Sequence, residues 1–181
     1  MLSQLRLSRI VLLASLVCST LLADIELGVA SAKEQQKTAA PSATHYMGRE
    51  IAKTMHYSGA IWLVRESRQR QEDCRRLVEE LNVQPGQAIC DLGCGNGFYT
   101  LKLAKATGEQ GKVYAVDIQR EMLSILKQRA RKAGIENIER VHSTVSDPRL
   151  PEGAIDLLLL VDVYHEFSDP ENMLRAIRKS L

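Results

Sequence analysis

The sequence lacks several features that would place it in common functional classes. Its 24 basic and 22 acidic residues leave a net charge of only +2. Because Lys and Arg are interleaved with Asp and Glu, no basic surface for a nucleic acid is indicated. No C-x-x-C pair is repeated, so a structural metal site is not expected. We interpret all four cysteines as free thiols, Cys18, Cys74, Cys90 and Cys94.

A long hydrophobic run is also missing. The run from Ile10 to Leu22 has about 13 residues, whereas a membrane-spanning helix needs about 20. Arg6 and Arg9 precede this run and Ala30-Ser31-Ala32 follows it, which is the layout of a secretory signal with a small-residue cleavage site. We interpret residues 1–32 as a signal peptide or hydrophobic anchor, which allows membrane association, and residues 33–44 as a polar linker.

The chain as a whole has 181 residues, of which 45% are hydrophobic and 25% charged, and this is the composition and length of one globular domain. Met47, Ile51 and Met55 recur at roughly helical spacing, which predicts one or two short helices in a cap over residues 45–73. Residues 74–181 alternate between helix and strand patterns, and the strands are predicted at 88–92, 112–117, 138–145 and 154–161. A capping box formed by Ser168 and Glu171 predicts the start of the last helix.

The most informative segment reads Ala88-Ile89-Cys90-Asp91-Leu92-Gly93-Cys94-Gly95-Asn96-Gly97. It predicts a buried strand followed by a tight turn, with a helix after it. Glycines at alternate positions let backbone groups approach a ligand closely. The spacing G-x-G-x-G differs from the G-x-G-x-x-G of dinucleotide-binding proteins. The carboxylate of Asp91 would repel a diphosphate and attract an ammonium group.

This segment resembles the first motif of the class I S-adenosylmethionine-dependent methyltransferases, and the resemblance extends from about Val83 to Leu181. It implies an α/β fold with a Rossmann-like, doubly wound parallel sheet. It implies S-adenosyl-L-methionine as cofactor, with Asp91 near the methionine amine and the loop residues against the methionine half, namely Gly93, Cys94, Gly95, Asn96 and Gly97. The family continues to a fifth strand, so we expect a domain truncated after the fourth strand and its helix, with that strand an exposed edge.

Acidic residues near the ends of the other strands extend the predicted site, because the carboxyl ends of parallel strands meet at one edge of a sheet. The resemblance assigns Asp117 to the ribose hydroxyls, with a role as a helix cap as the alternative. The resemblance also implies that Asp147 accepts a hydrogen bond from the adenine amino group, with Thr144 and Val145 as the alternatives, and Asp162 follows the fourth strand. The predicted cofactor site also includes the neighbouring residues Ile118, Thr144 and Val145.

His165 and Tyr164 follow the fourth strand and are the predicted catalytic residues. An imidazole titrates near neutrality, so His165 suits a general base, although a purely structural histidine is the alternative. The Asn-Pro-Pro-aromatic element of amide- and base-methylating relatives is absent, which favours a small-molecule or lipid acceptor. Two other functions stay open, a non-catalytic cofactor-binding remnant and a nicotinamide-dependent oxidoreductase, the latter disfavoured by the glycine spacing and Asp91.

The location is predicted in two conflicting ways. The amino-terminal segment indicates export or membrane attachment. S-adenosylmethionine is made and held in the cytoplasm, however, and three cysteines after cleavage would leave one unpaired in a disulfide-built domain. We therefore expect a fold of cytoplasmic type that does not depend on disulfides.

Overall fold

The computed structural model describes residues 9–13 and 44–181. Its strands are β1 (Arg9–Leu13), β2 (His45–Tyr46), β3 (Arg49–Glu50), β4 (Ala88–Leu92), β5 (Lys112–Asp117), β6 (Ile138–His142) and β7 (Leu157–Val161). Its α-helices are α1 (Arg68–Gln71), α2 (Cys74–Glu80), α3 (Thr100–Thr107), α4 (Arg120–Lys132) and α5 (Pro170–Ser180). Two 3₁₀ helices cover Tyr57–Val64 and Tyr164–Glu166.

The main sheet has five parallel strands in the order β1-β7-β4-β5-β6. Alternate residues of each strand face opposite sides, so the sheet has two apolar faces. One face packs against Met173 and Ile177 of α5. The other packs against α2 and α3, through residues such as Cys74 and Leu103, and Leu126 of α4 packs beside Ala115. Helices on both faces confirm the predicted Rossmann-like, doubly wound fold.

The sheet differs from the expectation at one edge. β1 pairs in parallel with β7, with Arg9 opposite Leu157 and Leu13 opposite Val161. β7 therefore has a neighbouring strand on each side, where an exposed edge was expected. Branched apolar residues suit a strand as well as a signal segment, and this explains why the sequence did not distinguish the two. The rest of the 1–32 segment and positions 33–43 of the linker lie outside the described residues, and their interpretation stays a prediction.

The cap contains two short helices, as predicted, at Tyr57–Val64 and Arg68–Gln71, and it also contains a hairpin that was not expected. It begins with a hairpin in which β2 and β3 are antiparallel, joined by Met47 and Gly48, whose φ angles are 50° and 79°. Positive φ at both central residues is the geometry of a type I′ turn. Met47 is 89% exposed, so its helical spacing from Ile51 does not mark a buried face. The helical prediction is correct only for the second part, from Tyr57 onward.

Two element boundaries also differ. β6 ends at His142, three residues before the predicted end of that strand. Asp169 caps α5, since its side chain accepts a hydrogen bond from the Asn172 amide at 3.3 Å. The capping box on Ser168 is therefore wrong, because Pro170 takes a first-turn position and shifts the helix start by one residue.

Two further properties concern the described ranges 9–13 and 44–181. No helix there is both long and apolar enough to cross a membrane. Cys74, Cys90 and Cys94 are buried free thiols, as predicted, and Cys18 lies outside those ranges.

Candidate functional site

A cavity of about 1290 Å³ opens at the carboxyl edge of the sheet. One side, which we call the sheet wall, consists of residues 91–95, 98–99, 117–119, 122 and 143–145. The opposite side is formed by Thr44 and by residues 50–55, 62–63 and 68 of the cap. The loop after β7, residues 161–168, joins the two sides. The cavity therefore lies at the carboxyl edge of the sheet, where the sequence analysis predicted the cofactor site.

The glycine loop after β4 needs glycine for packing as well as for conformation. Gly93, Gly95 and Gly97 have φ angles of 74°, 52° and 83°. A Cβ atom at Gly93 would collide with Val163, and one at Gly97 would collide with Leu126. At Gly95 it would lie 2.7 Å from Cδ1 of Leu63 in the cap. The loop backbone is therefore in close contact with both sides of the cavity.

Hydrogen bonds inside the protein use most of the amide groups of this loop. The Gly93 and Cys94 amides both donate to the Val116 carbonyl, at 2.8 and 3.0 Å. The Gly95 amide donates to the Asp117 carboxylate at 2.8 Å, and the Gly97 amide donates to the Cys94 carbonyl at 2.9 Å. These four amides are not available to a ligand.

Asp117 organises the sheet wall. One carboxylate oxygen accepts from Gly95 and the other accepts from the Gln119 amide at 2.8 Å. The residue is 7% exposed, and burial raises its pKa above the usual value, while the amide hydrogen bonds act in the opposite direction. Each carboxylate oxygen has a further lone pair. Asp117 can therefore hold the loop and still accept a hydrogen bond from the hydroxyl of a ligand in the cavity.

Asp91 is the second buried carboxylate of the sheet wall, with 4% exposure. It accepts a hydrogen bond from the Thr100 hydroxyl at 2.5 Å. Burial raises the pKa of Asp91 to about 6, and the Thr100 hydrogen bond and the charge of Arg68 partly oppose this shift. At neutral pH the group is therefore mostly ionised and suits a cationic ligand atom.

Most of the predicted cofactor residues line this cavity, namely Asp91, Gly93, Cys94, Gly95, Asp117, Ile118, Thr144, Val145 and Asp162. Asn96 does not. Its side-chain amide donates to the Ala60 carbonyl at 2.6 Å and its side-chain oxygen accepts from Arg129 at 3.0 Å. It therefore connects the loop to the cap and to α4. Gly97 is likewise outside the cavity lining.

Asp147 also lies outside the cavity lining. Its carboxylate accepts from the Arg149 amide at 2.7 Å and its carbonyl accepts from the Thr144 amide at 2.9 Å. These bonds close a tight, exposed turn. Because β6 ends early, Ser143 and Thr144 occupy the cavity edge, where the longer predicted strand would have brought Asp147.

The loop after β7 contains the predicted catalytic pair. Tyr164 and His165 both line the cavity. The side chain of His165 is exposed, and its carbonyl accepts from Arg49 at 2.7 Å and from the Ala52 amide at 3.0 Å. The structure therefore gives His165 a backbone contact with the cap.

Glu166 is the residue of this loop that was not among the predicted catalytic residues. Its half-buried carboxylate lines the cavity and accepts hydrogen bonds from the Thr54 side chain and the Met55 amide. Burial raises its pKa to about 7, which outweighs those hydrogen bonds. The only sequence signal was its position directly beside His165.

Comparison with known proteins assigns the family. Residues 84–181, more than half of the chain, match the family described as a methyltransferase domain. The structure is similar to that of a SAM-dependent methyltransferase from Aquifex aeolicus, with a TM-score of 0.66 and 31% identity, covering 70% of this chain and 68% of that one. The chain belongs to the S-adenosylmethionine-dependent methyltransferases. The family uses S-adenosylmethionine as its cofactor, as the resemblance implied.

Two curated relatives of this methyltransferase are called demethylmenaquinone methyltransferase. The protein from Oceanobacillus iheyensis is 32% identical over 93 residues, which cover 51% of this chain and 39% of the relative. The protein from Geobacillus stearothermophilus is 30% identical over 84 residues, which cover 46% and 36%. The chain thus spans less than two fifths of the length of either relative.

The cavity of the methyltransferase has the chemistry that S-adenosylmethionine requires. The cofactor carries an ammonium group, ribose hydroxyls and a flat purine. Asp91 offers a buried anion, and Asp117 offers carboxylate oxygens at the neighbouring strand end. Ile118 and Val145 offer apolar surface beside Asp117. These residues fit the group, and their individual roles stay predictions.

Proposed function

We propose that the protein transfers a methyl group from S-adenosylmethionine to a small aromatic acceptor of the quinone or hydroquinone type. The observation that carries this proposal is the size and apolar lining of the cavity on its cap side. The names of the two curated relatives support the same class of acceptor.

The cavity has room for two molecules. Its volume of about 1290 Å³ exceeds the range of roughly 300–1,000 Å³ that is usual for a single ligand. The sheet wall supplies the polar groups suited to the cofactor. The other end is lined mostly by apolar and aromatic side chains, including Ile51, Met55, Trp62, Val163, Tyr164, Phe167 and Met173. A flat, weakly polar ring would bury its surface there.

The reaction needs orientation and one proton acceptor. When bound, the cofactor supplies a methyl group on a positively charged sulfur. The acceptor takes the methyl group, and the rest of the cofactor is the leaving group, a neutral thioether. Holding both reactants at near-attack distance lowers the barrier by several kcal/mol, about 7–11 in favourable systems. The loop at Gly93–Gly97 and the cap would provide that orientation. A hydroquinone acceptor must also lose a proton, which a positioned base can accept.

Glu166 suits that base better than His165. Its carboxylate lies in the cavity, and its pKa of about 7 leaves a large ionised fraction at neutral pH. Thr54 and Met55 of the cap lie beside it and favour its ionised form. His165 is exposed and is held through its backbone, so we assign it a structural role in the cap contact.

The test is a transfer assay with the full chain, methyl-labelled S-adenosylmethionine and a short-chain demethylmenaquinol. We expect labelled product whose mass has increased by one methylene group. A parallel reaction with an already methylated menaquinol is the control and should give no product. Cofactor binding without transfer to demethylmenaquinol or to other phenolic acceptors would favour the non-catalytic remnant instead.

A further inference from the structure

We propose that Arg68 is the binding residue for the carboxylate of the methionine end of S-adenosylmethionine, opposite Asp91 for the amine. This end of the cofactor is a zwitterion, with an ammonium group and a carboxylate on the same carbon. The predicted site accounts for the ammonium group alone. This inference depends on the family's cofactor and is independent of the acceptor.

The glycine loop cannot supply the missing donors through the amides already described. Gly93, Cys94, Gly95 and Gly97 each donate to an acceptor within the protein. An anion needs hydrogen-bond donors or a positive charge to compensate for its loss of water. A charged side chain that lines the same end of the cavity can supply this compensation.

Within residues 44–181, one lysine and one arginine line the cavity, Lys53 and Arg68. Lys53 is exposed. Its two neighbours in the chain contact the loop after β7, because the Ala52 amide donates to the His165 carbonyl and Thr54 lies against Glu166. It therefore belongs to the acceptor end. Arg68 is 5% exposed and acts electrostatically on Asp91, so it belongs to the methionine end.

The guanidinium of Arg68 is positioned with one edge still open. Its Nε donates to Glu72 at 2.8 Å and its Nη1 donates to the Leu63 carbonyl at 3.0 Å. Its centre lies 4.6 Å from the Phe98 ring centroid and 5.2 Å from that of Tyr99. Within the described part of the chain, Nη2 makes no hydrogen bond. A fixed, planar group with free donors matches a carboxylate.

The charges around Arg68 leave it available for an anion. Glu72 is shared, because it also lies 3.6 Å from Nη2 of Arg65 and accepts from the Tyr99 hydroxyl at 3.3 Å. One carboxylate thus faces two guanidinium groups. Asp91 and Arg68 then present opposite charges to the two ends of the zwitterion, which favours one orientation of the cofactor.

The test compares the affinity of the full chain for S-adenosylmethionine and for its decarboxylated analogue, by titration calorimetry. The analogue keeps the adenosine, the sulfonium and the amine. We expect the wild type to prefer the complete cofactor at least tenfold. Arg68→Gln should lose at least tenfold for the complete cofactor and less than twofold for the analogue. Arg65→Gln, which keeps Arg68, should retain the wild-type preference.

Two results would overturn the proposal. One is a wild type that binds both compounds equally. The other is an Arg68→Gln protein that loses the same factor for both, since this indicates damage to the loop and not loss of a carboxylate contact. If the Gln variant does not fold, Arg68→Lys replaces it. Lys keeps the charge without the planar pair of donors, so the preference should fall to about threefold, and an undiminished preference would contradict the assignment. No acceptor is present in these titrations, so their outcome is separate from that of the transfer assay.

Discussion

The two sides of the cavity are built by different means. The sheet wall is fixed by the ends of the strands and by hydrogen bonds between neighbouring loops. An example is the pair of hydrogen bonds that the Asp117 carboxylate accepts from two backbone amides. The cap consists of a hairpin, a 3₁₀ helix and one short α-helix, and it is attached by a few contacts such as that of Arg49 with the His165 carbonyl. A scaffold of this kind suits a constant cofactor on one side and a variable acceptor on the other.

The largest expected effect separates chemistry from cofactor binding. Glu166→Gln should reduce turnover with the quinol about 100-fold, because a neutral amide cannot accept the proton. Affinity for S-adenosylmethionine should stay within about twofold. The wild-type rate should rise with pH through about 7, as Glu166 ionises, and this rise should disappear in the variant. Glu50→Gln, which changes an exposed carboxylate lining the same cavity, is the control for charge; an equal loss there would remove the special role of Glu166.

Asp117→Ala tests the sheet wall itself. It leaves the amides of Gly95 and Gln119 without their acceptor and removes the predicted partner of the ribose. We expect the dissociation constant of S-adenosylmethionine to rise about 30-fold, on the order of 2 kcal/mol. Asp147→Ala is the matched control, because Asp147 lies outside the cavity lining. Calorimetric titration should give less than a twofold change for it, and a large change would return Asp147 to the cofactor site.

Gly95→Ala tests the contact between the two sides. Its Cβ would meet Cδ1 of Leu63, so the Leu63 side chain or the loop has to shift, and cofactor affinity should fall about tenfold. Gly86→Ala also places a side chain at positive φ, but it points into open space. Both variants should lose about 1 kcal/mol of stability in chemical denaturation. If Gly86→Ala weakened cofactor binding as much, backbone strain alone would explain the result.

The pH dependence of cofactor binding follows from Asp91. Its raised pKa of about 6 means that protonation removes its charge as the pH falls below 6, whereas the cofactor amine, like other α-amino groups with pKa near 7.7–8.0, stays cationic. Affinity should therefore rise from pH 5 to pH 7, by up to about tenfold. Asp91→Asn should bind more weakly throughout and remove this rise. Asp117, whose pKa is also raised, is kept in both proteins, so the difference between their curves reports Asp91.

The smallest effect is expected on the cap. Arg49→Ala removes bonds to the carbonyls of His165 and Phe167. The KM for the quinol should increase about threefold, as expected for partly exposed hydrogen bonds, with little change in cofactor affinity. Hydrogen exchange of residues 49–55 should become faster. Arg75→Ala, which changes an exposed arginine paired with Glu79, should alter neither quantity; unchanged exchange in Arg49→Ala would mean that other contacts hold the cap.

The difference between the two sides also explains what the sequence could predict. The motif from Asp91 to Gly97 and the acid at Asp117 are local patterns at strand ends, so both the fold and most of the sheet wall followed from them. The cap depends on contacts between distant positions, such as Thr54 with Glu166. No periodicity encodes such a pair.

The misplacement of Asp147 has a similar cause. β6 ends early, and the turn after it therefore begins closer to the sheet. The Arg149 amide donates the hydrogen bond to Asp147 that closes this turn, and Arg149 has a φ angle of 55°. Positive φ is uncommon for arginine, so this turn could not be predicted from the sequence pattern. Arg68 was missed because arginine in a short helix is usually solvent-exposed.

The parallel pairing of β1 with β7 sets an order of events during folding. Arg9 pairs with Leu157, so β1 finds its neighbour only after the intervening residues 14–156 have been synthesised. At about 5–20 residues per second, the apolar segment that begins at Ile10 waits several seconds without its partner strand. Pairings between such distant positions form slowly because the loop between them has to close first. Before this pairing forms, the apolar segment that begins at Ile10 is accessible to other factors that recognise apolar segments of nascent chains.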